Sequence, residues 1–327
     1  MTTFTLEADV MTAADGTYEV RLSPANYTVT DTCVPQTTQR RGSIARMTLL
    51  PELEHIRVDR DGPVTRVTLD RPKIHNAFGS RMIEELGSVF TELRTDDQTR
   101  VIVLAGEGKS FSAGADINWM RDSVSFTRQQ NVDDATRLAL MLESIARCDK
   151  PVVCRVQGLA LGGGLGLISA ADYVVAEDSA EFAFSEVKLG LVPAVISPFV
   201  LRRIGPGHAR ALFITGERFT SERALRIGLV HVSVPSARLD AEIDRVVNEL
   251  LTAAPDGVTI SKHLVEDVSY HASRDMQLHT AETIASKRTD IEGQEGLNAF
   301  LEKRRPTWMD EAHAPAWLAT SAPGTAR

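Results

Sequence analysis

Apolar and polar positions recur along this chain with two periods. Between Glu54 and Leu69, two alternating runs, His55–Asp59 and Val64–Leu69, flank Arg60-Asp61-Gly62-Pro63, which predicts a β-hairpin. Met82, Leu86, Val89, Phe90 and Leu93 then return every three or four residues, the spacing of one helix face. Val101–Leu104 is wholly apolar, rich in β-branched residues and bounded by Gly106, as a strand buried on both faces should be. A second helical stripe runs through Leu138, Met141, Leu142 and Ile145, and the strand Val152–Val156 is entered through Pro151. The Gly162–Gly164 loop leads into a short helix, Leu165–Ala170; Asp172–Ala176 returns as a strand, and Glu181–Phe184 alternates as another. Strands alternating with helices predict an α/β core with mostly parallel strands. From about Arg238 the pattern is helical, is broken at Pro255-Asp256-Gly257, and resumes to about Arg304.

Composition narrows the classes. A chain of 327 residues with a formal net charge of −8 and no Lys/Arg-rich run argues against nucleic-acid binding. The three cysteines, Cys33, Cys148 and Cys154, have neither disulfide nor metal-ligand spacing, so reduced thiols in a cytoplasmic setting are expected, with Cys154 a small core residue. No apolar run approaches about 18 residues, so no transmembrane helix is expected. Residues 1–50 carry acidic residues that oppose a transit peptide; a disordered extension is the simpler expectation, with Met47 a candidate start.

Two segments about fifty residues apart carry the chemistry: Ser110-Phe111-Ser112-Ala113-Gly114-Ala115-Asp116, and the run Gly158 to Gly166 with its triple glycine Gly162-Gly163-Gly164. Each follows an apolar strand, and each can offer bare backbone N–H groups to one oxygen, the arrangement of an oxyanion hole. A dinucleotide fingerprint fails because its third glycine would fall on Leu167; a Walker A loop ending at Gly108-Lys109-Ser110 fails because its first glycine position is Val103. A purely structural tight turn remains the bland alternative.

Further motifs stand in a fixed order with these: Arg71-Pro72-Lys73-Ile74-His75-Asn76-Ala77-Phe78, then Phe184-Ser185-Glu186-Val187-Lys188-Leu189-Gly190-Leu191-Val192-Pro193, and last Gly296-Leu297-Asn298-Ala299-Phe300-Leu301-Glu302-Lys303. Together they resemble the crotonase (enoyl-CoA hydratase/isomerase) superfamily from about Leu53 to Trp308. The resemblance implies an α/β fold of ββα units wound into a spiral over 51–252, a C-terminal helical trimerisation region over 253–308, and a flexible tail over 309–327. It implies an acyl-CoA thioester substrate, no cofactor beyond that CoA, and a homotrimer or homohexamer with no nucleic-acid or membrane partner.

By the same resemblance the oxyanion donors are the N–H groups of Ala115 and Gly163, with Ala113, Gly114, Asp116 and Gly162 among the substrate- and CoA-binding positions. Glu186 is the acid/base carboxylate; its bland alternative is a surface glutamate paired with Lys188. Asp116 reads better as the cap of a helix starting at Ile117 than as a catalytic group. Asn76 and Ala77 fall in the first CoA-binding loop, and Phe300 and Lys303 match C-terminal residues that contact CoA from a neighbouring subunit. Trp119 and Met120 are candidates for the acyl pocket.

One departure matters. Two-carboxylate hydratases carry a second glutamate two residues after the triple glycine, where this chain has Gly166. Hydration with Glu186 alone, a second group elsewhere, a one-glutamate Δ3,Δ2-enoyl-CoA isomerase and a non-catalytic acyl-CoA-binding protein all stay open. The segments around the glycines look most like bacterial 3-methylglutaconyl-CoA hydratases of leucine and branched-acyl degradation, and the volume lost at Gly166 suggests room for a branched or carboxylated acyl group.

Overall fold

The computed structural model describes residues 53–270, 283–284, 286 and 288–309, together with the backbone of two short strands near the N-terminus. The chain divides into two units, 1–48 and 49–327. Of the first, the strands Asp9–Thr12 (β1) and Tyr18–Arg21 (β2) pair antiparallel, Asp9 opposite Arg21. The rest of the N-terminal extension, Cys33 and the tail from residue 310 lie outside the described residues.

The second unit opens on the expected hairpin, Ile56–Asp61 (β3) and Val64–Leu69 (β4), turning through Gly62 at φ +53°. Four strands follow in parallel beside β4: Val101–Gly106 (β5), Val152–Val156 (β6), Tyr173–Glu177 (β8) and Val232–Val234 (β11). They form one six-stranded sheet. A smaller three-stranded sheet joins Leu159–Leu161 (β7), Glu181–Ala183 (β9) and Phe219–Thr220 (β10).

The period of two along β5 and β6 assigns their side chains to two cores. Ile102, Leu104, Val152, Cys154 and Val156 enter the main cluster. Val101, Val103 and Val153 point the other way, onto Leu239, Ile243, Val246, Val247 and Leu251 of the helix Leu239–Thr252 (α7). On the main side the helix Ser80–Thr95 (α1) buries Met82, Ile83, Leu86, Val89, Phe90 and Leu93, each removal from water contributing about 1.5–3 kcal/mol for a full-sized side chain. Glu85 on the same helix is also buried, and its carboxylate accepts from the N–H groups of Glu54 and His55, tying down the start of the hairpin. Cys154 is fully buried, which pushes its thiol pKa up and leaves it an inert hydrophobe.

Three further helices position the site: Ile117–Ser123 (α2), Arg128–Ala146 (α3) and Gly163–Ala170 (α4). The structure adds a helix over Ser197–Thr215 (α5), bent at Gly205 (φ +71°) and Pro206, and a short one over Ser221–Arg226. Pro255 opens the helix Pro255–Tyr270, so the break expected there is a new start. Among the described residues no helix is long and apolar enough to cross a membrane.

Candidate active site

The two glycine segments are stitched to each other. Ser112 N–H donates to Leu159 O at 3.1 Å, and Leu161 N–H returns to Ser112 O at 2.9 Å. Just beyond, Gly114 takes φ +83°, and a Cβ there would stand 2.6 Å from Leu161 O and 3.2 Å from Gly163 N. Only a glycine lets the loops close to that distance. Phe78 locks the first loop from its other side: its N–H donates to Gly114 O at 2.8 Å, and its carbonyl accepts from Asp116 N–H at 2.9 Å. The Phe78 ring covers Gly163, where a Cβ would meet Phe78 Cζ at 2.5 Å.

This brackets Ala115 between two bonded neighbours while its own N–H finds no backbone acceptor among the described residues. Gly163 is the first residue of α4, so its N–H is one of the donors a helix leaves free, and the positive end of the helix dipole lies at the same point. Ala113 is held by its N–H to His75 O at 2.8 Å.

Glu186 reaches this point from a third direction. Gly162 N–H donates to Ala183 O at 2.9 Å, which draws the strand β9 to the glycine turn. A turn of 3₁₀ helix, Ser185–Leu189, then presents Glu186 so that a Cβ on Gly162 would lie 3.3 Å from its Oε1. Its Oε2 is buried without a hydrogen-bond partner, and burial raises its pKa above the ordinary glutamate value. It forms no ion pair with Lys188 among the described residues, so the surface-pair alternative does not describe it.

Asp116 is a different kind of carboxylate. It caps α2 by accepting from Asn118 N–H at 2.7 Å, and it pairs with Arg71 Nη1 at 2.8 Å. Burial works to raise its pKa, but the Asn118 amide and the Arg71 guanidinium outweigh this and lower it. Arg71 also donates to Ala77 O at 2.8 Å, so one guanidinium fastens the two loops together. Asn76 is fully buried at φ +54°; its side-chain amide donates to Glu107 O, Ser110 O and Phe111 O, and its oxygen accepts from Arg71 N–H. Its side chain is therefore an internal latch, with its polar atoms engaged inside the protein rather than turned to a ligand.

Phe300 and Lys303 stand apart, at the end of the C-terminal helix Ile291–Leu301, with Phe300 exposed and Lys303 at φ +55°. Within one chain the neighbours that close on Glu186 come from the glycine turn, not from this helix. Trp119 is half-buried at the edge of the main core, its Cβ 3.2 Å from the Cβ that Gly79 lacks.

One expectation is corrected. Gly166 leaves no room for an acyl branch: a Cβ there would lie 2.5 Å from Ile196 Cγ2 and 3.3 Å from Leu142 Cδ1, both buried core residues. Ile196, thirty positions away, fills the missing volume. Arg71 and Phe78 belong to the Arg71–Phe78 motif, but only their contacts reveal that they clamp the loop Ser110–Asp116.

The model of the family described as Enoyl-CoA hydratase/isomerase matches residues 59–311. The chain is 34% identical over 261 residues to carnitinyl-CoA dehydratase of Escherichia coli K12, covering 78% of this chain and 98% of that protein. An enoyl-CoA hydratase structure from Shewanella pealeana aligns with a TM-score of 0.76 at 40% identity, over 79% of this chain and 97% of the other. One from Mycobacterium smegmatis aligns at 0.74 and 32%, over 78% and 99%. The E. coli relative thus carries a different substrate name from the 3-methylglutaconyl-CoA hydratases that the local motifs resemble.

Proposed function

Since the chain belongs to the enoyl-CoA hydratase/isomerase family, we propose that it is a hydro-lyase adding water reversibly to an α,β-unsaturated acyl-CoA with Glu186 as its single acid/base group. The observation that carries this reading is the buried, unpartnered Glu186 Oε2 beside the glycine turn. Burying a carboxylate oxygen without a partner costs stability, and groups perturbed in this way cluster at functional sites.

In this reading the thioester oxygen accepts from Ala115 N–H and Gly163 N–H. Glu186 takes a proton from water as its oxygen bonds to the β-carbon, and the C=C electrons move to the thioester as an enolate. The enolate collapses as Glu186 returns the proton to the α-carbon, so the net change is addition of H and OH and the carboxylate is regenerated. Each oxyanion donor is worth about 2.7–4 kcal/mol in the transition state. A raised pKa suits a group that must accept and return one proton. No cofactor is needed beyond the CoA of the substrate. A branched acyl group such as 3-methylglutaconyl is the favoured substrate, with carnitinyl-CoA, named for the E. coli relative, the comparison. The assembly is a cytoplasmic homotrimer or homohexamer in which Phe300 and Lys303 reach the CoA of a neighbour.

The runner-up is the isomerase, favoured by the apolar wall at Gly166, Ile196 and Leu142, which leaves one carboxylate to shuttle a proton between carbons. Loss of the enoyl-thioester absorbance with 3-methylglutaconyl-, 3-methylcrotonyl- or crotonyl-CoA, abolished in Glu186→Gln, is the expected result. A shifted double bond from a 3-enoyl-CoA without hydration would favour the isomerase. Tight CoA-thioester binding without either turnover would leave only a binding protein.

A further inference from the structure

Away from Glu186, a cleft of about 560 Å³ opens between the C-terminal ends of α3 and α4, the helix α5 and the helix Pro255–Tyr270. Its wall carries four cations, Arg147, Arg202, Arg203 and Lys262, against two carboxylates, Asp172 and Glu266. Both carboxylates are engaged: Asp172 Oδ2 accepts from Lys262 Nζ at 2.8 Å and from Val152 N–H at 2.7 Å, and Glu266 pairs with Arg202 at 3.0 Å.

At the centre, donors outnumber acceptors. Val174 N–H donates to His231 Nδ1 at 2.9 Å, so the neutral ring carries its proton on Nε2. Yet Nε2 faces Arg203 Nη1 at 3.1 Å, a group that can only donate. The ring does not escape by other means, because partial burial and the Arg203 charge lower its pKa to about 4. The remaining Arg203 donors go to carbonyl oxygens, those of Ser169, Ala171 and Asp172, and it has no ion pair among the described residues. Ser169 lines the same wall, and its hydroxyl is buried without a partner. The two N–H groups, 3.1 Å apart, leave each other without an acceptor, and an oxygen placed beside the pair in the cleft would supply one to both.

We propose that this cleft is a second binding site, for a small molecule bearing a phosphate or carboxylate, held by Arg203, the Nε2–H of His231 and the Ser169 hydroxyl. Apolar lining from Ala146, Ala170, Phe199 and Val265 suits the remainder of such a ligand. The site is separate from the proposed acyl-CoA chemistry and does not depend on it.

Calorimetric titration of the full-length protein in chloride buffer with inorganic phosphate, and separately with acetate, tests this. One saturable site per chain is expected for at least one anion, and the tighter of the two identifies the oxyanion. His231→Asn keeps an acceptor for Val174 N–H but is too short to place a donor where Nε2–H stands, so affinity should fall about tenfold, the usual worth of a hydrogen bond to a charged group. Ser169→Ala, which removes an unpartnered hydroxyl and leaves the fold, should weaken binding in the same direction and carries the test if His231→Asn is unstable. Absence of saturable binding for both anions overturns the proposal. So does binding that neither variant weakens, which would place the anion elsewhere, such as where the substrate's own phosphates sit.

Discussion

Two carboxylates stand at the mouths of the same pair of loops, and they are treated oppositely. Asp116 is fully partnered: a backbone amide and a guanidinium hold its two oxygens, and its pKa is lowered. Glu186 has one oxygen buried against nothing, and its pKa is raised. The first is built to stay ionised and hold α2 and the oxyanion loop in place. The second carries the raised pKa that the proposed proton transfer calls for. The difference in partners, more than the residue type, separates the two carboxylates, and it is what the proposed role of Glu186 as proton carrier rests on.

The largest effect that tests the contrast is on turnover. Glu186→Gln should lower hydration by about 10²–10⁴, the usual worth of a positioned acid/base group, while thermal stability stays equal or rises slightly because a buried unpaired charge is gone. A variant that kept its rate would assign the proton chemistry elsewhere. The next effect is on stability. Gly166→Glu forces a Cβ to within 2.5 Å of Ile196 Cγ2, so a loss of at least about 1–3 kcal/mol is expected from overpacking, with no gain in hydration. Denaturant midpoints of Gly166→Glu alone and with Ile196→Gly measure it. Recovery only in the pair would show that Ile196 is what keeps a third carboxylate out of this site.

Much of the fold is legible in the sequence. The wholly apolar, β-branched run Val101–Leu104, the run Val152–Val156 entered through Pro151, and the three-four spacing of Met82 to Leu93 correspond to the strands β5 and β6 and the helix α1. The proposed donors and Glu186 were legible only through the order of their motifs, since no local pattern links residues 115, 163 and 186. What escaped was long-range or locally contradictory. Ile196 against Gly166 is a contact across thirty residues, so the volume above the glycine could not be read from its neighbours. The helix Ser197–Thr215 contains Gly205-Pro206-Gly207, which reads as a break; it survives as a bend because Gly205 adopts φ +71°. Strand β7 spans only Leu159–Leu161, too short for a period to show. Asn76 has the composition of a loop residue, and only its saturated amide reveals a latch.

A smaller effect separates Asp116 from Glu186 at constant sequence length. Asp116→Ala removes a helix cap, with an expected cost of about 0.5–2 kcal/mol, and frees Arg71 from its partner. Activity should fall less than in Glu186→Gln, because Ala115 N–H is displaced rather than removed. A fall as large as that of Glu186→Gln, with no change in stability, would make Asp116 a participant in the chemistry.

The smallest effect is on the pH dependence of stability, and its sign differs between the two groups. Asp116 is lowered on folding, so its contribution is present above the unfolded aspartate pKa and is lost as pH falls through the lower folded value. Glu186 is raised on folding, so its contribution is full below the unfolded glutamate pKa and is lost as pH rises through the higher folded value. Unfolding curves of the two single variants, subtracted from the parent between about pH 3 and pH 7, should therefore slope in opposite directions across the range where carboxylates titrate. Parallel slopes would mean that Glu186 acquires a partner in solution. The buried oxygen that distinguishes it would then be satisfied, and the argument for its role as proton carrier would lose its physical basis.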